Sequence, residues 1–141
     1  AALGDAGVVT EGLNLVDGSG LDRGGRATCA SFVSALEQAG TDGPISQGLA
    51  EAGESGTLQD RMNGTPAEGQ VQAKTGTLAN VSSLSGWAFP EATEPLKFSL
   101  ILNGTPVETA EAIQDRIAVR LASLTPVASA EFDNTVGVSV R

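Results

Sequence analysis

Apolar and polar residues alternate most regularly in Leu96–Asn103. Leu96, Phe98, Leu100 and Leu102 point one way along an extended chain, Lys97 and Ser99 the other. Two more β-prone runs precede this one, at about 71–78 and 81–89, and the short links between all three predict an antiparallel meander. Pro90 and Pro95 bracket the last connection, which suits a loop rather than a strand interior. Beyond Asn103 the period lengthens. Thr105-Pro106-Val107-Glu108 reads as a helix start, with Thr as cap, Pro at the first helical position and Glu three residues after the cap. Ala110, Ile113, Ile117, Leu121 and Leu124 then form one apolar stripe, expected to pack on a sheet face, and Pro126 is expected to end the helix.

The first half of the chain is patterned differently. Residues 8–16 alternate weakly and predict a short strand, followed by a turn at Asp17-Gly18-Ser19-Gly20. Thr28 is a plausible cap for a helix over 29–38, whose apolar positions Cys29, Phe32, Val33 and Leu36 recur at helical steps before Gly40 stops it. Pro44 opens a second predicted helix, roughly 44–52, with Ile45 and Leu49 on its buried side. Gly53 and Gly56 break it, and one further helical turn is expected around Leu58–Met62. The tail Glu131–Arg141 is β-prone at its end and reads equally as an edge strand or as disorder.

Composition narrows the function classes. A chain of 141 residues fits one domain or part of one, and 40% apolar residues make it too apolar for a disordered segment. The absence of histidine excludes a Ser-His-Asp triad, a Cys-His dyad and most zinc sites within the chain; no metal and no cofactor are expected. A formal charge of −9 disfavours nucleic acid and anionic membranes as partners. No apolar run approaches the roughly 18 residues that span a bilayer. The opening AALGDAGVV shows no secretory signal and reads like the middle of a domain. The single cysteine, Cys29, reads as a small core residue on the first helix, the alternative being a disulfide partner outside this segment.

The lysines are Lys74 and Lys97. Lys97 alternates with apolar residues and is expected to be an exposed edge charge. Lys74 lies in Val71-Gln72-Ala73-Lys74-Thr75-Gly76-Thr77-Leu78, on a predicted strand where Lys74 and Gly76 share one face and Thr75 and Thr77 the other. There an ammonium can orient an anionic group and favour deprotonation of a hydroxyl. Gly76 removes the Cβ that would keep a substrate backbone off the strand. Thr75 and Thr77 supply the hydroxyls and amides that a carboxylate or oxyanion needs. By itself Lys-Thr-Gly recurs by chance, and a surface lysine before a strand turn is the plain alternative. Ser19, in Asp-Gly-Ser-Gly, has no lysine or histidine nearby in sequence to act as base, and reads as a turn residue.

The surrounding segments make the motif specific. Gly64-Thr65-Pro66-Ala67-Glu68-Gly69, then Ala73–Leu78, then Val81 and Leu84-Ser85-Gly86-Trp87, resemble the C-terminal part of penicillin-binding proteins. The likeness is to the low-molecular-mass, class C D-alanyl-D-alanine carboxypeptidases and endopeptidases. Upstream, Asp17-Gly18-Ser19-Gly20-Leu21 and Gly56-Thr57-Leu58-Gln59-Asp60-Arg61 look like the same family in the expected order, so the resemblance covers about residues 13–124. It implies an α+β fold, the C-terminal part of a serine β-lactamase/transpeptidase-like domain over 1–125, with 126–141 as a tail. A small helical portion (about 28–62), a three-stranded antiparallel sheet edge and a helix behind it would leave an apolar sheet face or strand edge uncovered. The resemblance also implies a serine acyl-enzyme that cleaves D-Ala-D-Ala or D-alanyl cross-links of peptidoglycan stem peptides. β-Lactams would be inhibitors, and the protein an exported one of the bacterial cell envelope.

Carried over residue by residue, Lys74 would orient the substrate and polarise the hydroxyl of the family's second motif, and Thr75 would bind the terminal carboxylate. Thr77 would give its backbone N–H to the oxyanion hole, Gly76 would allow close approach, and Leu78 adjoins these substrate-binding positions. Two departures stand out. The family's Ser-x-x-Lys is absent, because Val71 and Glu94 stand three residues before the two lysines. The segment is therefore expected to be a C-terminal fragment that cannot acylate alone. In Leu21-Asp22-Arg23-Gly24-Gly25-Arg26, Asp22 stands at the expected second-motif serine and glycines stand at the candidate asparagine positions. Asp22 could act as a base, pair with Lys74 or Arg26, or be a solvated turn residue. A non-catalytic peptide-binding relative is the alternative to an enzyme. An aspartic hydrolase built on Asp17 and Asp22 is a weaker third idea, since it needs two carboxylates about 3 Å apart.

Overall fold

The computed structural model describes residues 2–125, so the tail, read as an edge strand or as disorder, and the stop at Pro126 lie outside the described residues. Four strands, β1 (Ala50–Glu51), β2 (Val71–Leu78), β3 (Val81–Ala88) and β4 (Leu96–Asn103), form one antiparallel sheet in sequence order. The expected meander is present, with a two-residue strand added at its start. β2 and β3 form a tight hairpin from Leu78↔Val81 to Val71↔Ala88, and β4 continues from Ala88↔Leu96 to Val81↔Asn103. Gly86 is essential to this pairing: a Cβ there would collide with the Gln72 carbonyl and with Ala73 on β2.

Helices α1 (Ala2–Asp5), α2 (Cys29–Ala39), α3 (Pro44–Gln47) and α4 (Val107–Ala122) complete the described residues. Alternation along β3 shows how they are distributed. Ser82 meets α4 through Gln114, whose Nε2 donates to Ser82 Oγ at 3.0 Å. Trp87, of opposite parity, meets α3 through its indole Nε1, which donates to Ser46 Oγ at 3.1 Å. The sheet thus carries α4 on one face and the α2–α3 pair on the other. The core lies on the α4 face, where Val71, Ala73, Leu84, Ala88 and Phe98 pack with Ala118 and Ala122. Leu58, Met62 and Ala67 of the intervening loops close one side.

Several expectations shift. Residues 8–16 form no strand, only a single bridge between Asn14 and Arg26. The helix predicted over 44–52 stops after one turn at Gln47. Its Ile45 is 56% exposed, and the buried residue is Ser46, whose hydroxyl donates to Gly40 O at 2.6 Å. The turn expected at 58–62 is a 3₁₀ turn at Gly56–Leu58. Helix α2 is capped as expected, with Thr28 Oγ1 accepting from Ser31 N at 3.1 Å, but Cys29 is exposed rather than in the core. At α4 the cap falls on Pro106 instead of Thr105.

The buried face of α4 also differs from the predicted stripe. Ala110, Gln114, Ala118 and Ala122 face the sheet, whereas Ile113 and Ile117 are each 37% exposed. Alanines let the helix axis approach the sheet closely. Gln114 tolerates burial because its amide nitrogen reaches Ser82 and its oxygen accepts from Arg61 Nη2 at 3.2 Å.

Lys97, expected as an exposed edge charge, is half-buried. Its Nζ lies 3.1 Å from Glu37 Oε1 on α2 and 6.0 Å from the Trp87 ring centroid. It fastens α2 to the sheet.

Candidate active site

The half of β2 that carries Lys74 to Leu78 has no strand on its outer side among the described residues, because β1 pairs only with Gln72 and Ala73. Ala52 N donates to Val71 O at 2.9 Å, which directs the main-chain groups of the odd-numbered β2 residues towards the β1 side. By ladder alternation, Thr75 and Thr77 therefore present N–H and C=O to the open edge. Their side chains share the α4 face, and those of Lys74 and Gly76 the other, as the sequence reading expects.

Lys74 is exposed and curls over this edge, its Nζ donating to the Thr75 carbonyl at 2.7 Å. An ammonium has three donors, so two remain for a ligand. The Thr75 hydroxyl donates to Thr57 Oγ1 at 2.9 Å. Thr77 is exposed, and half-buried Leu78 closes the hairpin opposite Val81. Gly76 is outside the left-handed region, and a Cβ there would meet only the rotatable Ser83 hydroxyl and, at ordinary contact distance, Ser83 Cβ. The fold makes no strong demand for glycine here, in contrast to Gly86.

The second-motif candidates sit in a separate surface loop. Asp22 Oδ1 accepts from Gly24 N at 2.6 Å, a local turn. Arg26 gives its guanidinium to the carbonyls of Arg23 and Gly25 at 2.8 and 2.7 Å. Ion pairs among the described residues are Arg61–Asp115 and Lys97–Glu37, so Asp22 pairs with neither Lys74 nor Arg26. Asp17 faces donors rather than a second carboxyl. The Ser19 hydroxyl and the Gly20 N–H hold its carboxyl below the usual carboxylate range, which removes the proton-sharing needed by an aspartic pair. Ser19 Oγ also accepts from Leu21 N at 3.2 Å and serves the turn.

Two open depressions, of about 780 and 320 Å³, run along α4, and neither includes Lys74, Thr75 or Thr77. Among the described residues the Lys-Thr-Gly strand is an open ledge. Sequence reasoning gave Thr57 no role in the site, since only the fold brings it to Thr75. Arg61 likewise carries no local signal of its partner: its Nη2 lies 2.6 Å from Asp115 Oδ1 and pins the loop after the 3₁₀ turn to α4.

Comparison with known proteins agrees with this architecture. The chain is 49% identical over 130 residues to a D-alanyl-D-alanine carboxypeptidase of Actinomadura sp. (strain R39), covering 86% of this chain and 24% of the relative. It is 36% identical over 118 residues to a penicillin-sensitive carboxypeptidase A of Dictyostelium discoideum, covering 75% of this chain and 23% of that protein. The chain thus spans about a quarter of the length of these curated relatives. Penicillin-binding protein 4 of Haemophilus influenzae, solved in complex with a β-lactam, superposes with a TM-score of 0.74 at 25% identity, over 86% of this chain and 31% of that one. The fold is accordingly the α+β transpeptidase-like one. Residues 1–124 match the profile of the D-Ala-D-Ala carboxypeptidase 3 (S13) family, and with nearly all described residues inside that match, the chain belongs to this family of low-molecular-mass penicillin-binding proteins.

Proposed function

We propose that the chain supplies the Lys-Thr-Gly wall of a serine-type D-alanyl-D-alanine carboxypeptidase or endopeptidase, with the nucleophile and the opposite wall contributed by another part of the parent protein. The observation that carries this reading is the open half of β2. A peptide ending in D-alanine can lie along it as an added strand, bonded to the main-chain groups of Thr75 and Thr77. Lys74 then sets a positive charge beside the terminal carboxylate, and the hydroxyl pair of Thr75 and Thr57 stands next to it with one proton to give. The Thr77 N–H is available to the oxyanion that forms when a serine attacks the penultimate D-alanyl carbonyl. Gly76 leaves the ledge flat where the peptide passes. The proposed substrate is a peptidoglycan stem peptide, β-lactams are expected to compete for the same ledge, and the proposal includes export to the bacterial cell envelope, which rests on the family resemblance.

A second reading has its own observation. Asp22 offers no hydroxyl proton, its carboxylate is engaged by Gly24 N–H, and glycine occupies position 24. A relative that holds stem peptides without cleaving them fits these features. The parent protein decides between the two: labelled penicillin and a D-Ala-D-Ala peptide are offered to it and to Lys74→Ala. Acylation and D-alanine release that fall by about 10²-fold or more in the variant support the enzyme. Saturable peptide binding without release supports the binding protein. Wild-type protein indifferent to both ligands overturns both readings.

A further inference from the structure

We propose that Thr57 is a second carboxylate-binding hydroxyl, coupled to Thr75, in the site described above; the inference rests on that reading of the ledge. Thr57 lies in the 3₁₀ turn Gly56–Leu58, eighteen residues before Thr75, and the fold sets the two Oγ1 atoms 2.9 Å apart. The turn is firmly held. Leu58 is fully buried beneath it, Gly53 N donates to Leu58 O at 3.0 Å, and Ser55 Oγ accepts from Glu51 N at 3.0 Å next to the β1–β2 pairing. Gly56, at φ 55°, takes the left-handed conformation that the turn requires.

The direction of the bond assigns the role. Two hydroxyls joined by one hydrogen bond have one proton left to give. Here Thr75 donates and Thr57 accepts, so the unspent proton belongs to Thr57, which is exposed whereas Thr75 is half-buried. A carboxylate can only accept. The anion arriving at this edge therefore meets Thr57 O–H as donor, polarised by the bond it receives from Thr75, with the Lys74 ammonium across the strand supplying charge. The two threonines act as one donor unit, and removing either hydroxyl disables most of it.

The test uses the parent protein and two probes, a peptide ending in D-Ala-D-Ala and the same peptide with its terminal carboxyl amidated. Affinity is read as KM where the peptide is turned over and as Kd where it is only held. Thr57→Val should weaken the free acid roughly tenfold, as expected for a hydrogen bond to a charged group, and leave the amide nearly unchanged. Thr57→Ser should restore acid binding. Thr57→Val combined with Thr75→Val should lose much less than the product of the single losses. Unchanged acid affinity in Thr57→Val, or equal losses for acid and amide, overturns the role of Thr57 while leaving the ledge in place. Wild-type protein without affinity for the acid overturns both together.

Discussion

Two glycines on neighbouring strands illustrate what a single residue is there to do. At position 86 a methyl group strikes the backbone of β2, so Gly86→Ala should destabilise the protein by about 1–3 kcal/mol or more, read as a fall in denaturation midpoint. At position 76 it meets chiefly a serine hydroxyl that can rotate away. Gly76→Ala should therefore melt within a few degrees of wild type yet weaken peptide binding by the parent protein, measured by titration. Asp17 gives a residue-scale pH prediction. Its folded carboxyl titrates below the ordinary value of 3.8, chiefly because the Ser19 hydroxyl and Gly20 amide donate to it. The loop gains from this at any pH above that ordinary value and loses it as the pH falls through the lower folded value. An NMR titration should find Asp17 still ionised after ordinary aspartates have protonated, and Ser19→Ala should bring it back towards them.

Among the elements, β2 and β4 were legible almost to the residue, because alternation over eight positions and short connections leave few other arrangements. Helix α4 was legible as a helix but only in part in its orientation. Of the predicted stripe, Ala110 is buried and Leu121 packs against the core, but Ile113 and Ile117 stay partly exposed; the packing adds Ala118 and Ala122, whose small side chains give little signal, together with Gln114, which no pattern would bury. β1 is too short for any period to show. The pair Thr57–Thr75 joins segments that only strand pairing brings together, so no local motif marks it. Arg61 links such segments too, and its loss is predictable: Arg61→Ala leaves Asp115 and the buried Gln114 oxygen without their shared donor. It should cost on the order of 2–3 kcal/mol in chemical denaturation, whereas exposed Arg23→Ala should fall within about 0.5 kcal/mol of wild type.

On the scale of the whole molecule, the main core cluster lies on the α4 face of the sheet, with Leu36 and Trp87 buried apart from it. The outer edge of β4 has no strand beside it among the described residues, and Ile113 and Ile117 stay partly exposed. Such a unit should unfold gradually when purified alone, and a single sharp calorimetric peak would contradict this. The contact that joins the helical pair to the sheet offers its own way to follow the process. Trp87 is the only tryptophan and the chain has no tyrosine, so ultraviolet emission comes from one indole, sealed at 5% exposure and bonded to Ser46. Detachment of α3 should shift that fluorescence to longer wavelength while the circular dichroism of the strands persists. One native chromophore thus separates loosening of the helical flank from collapse of the sheet, with no added dye.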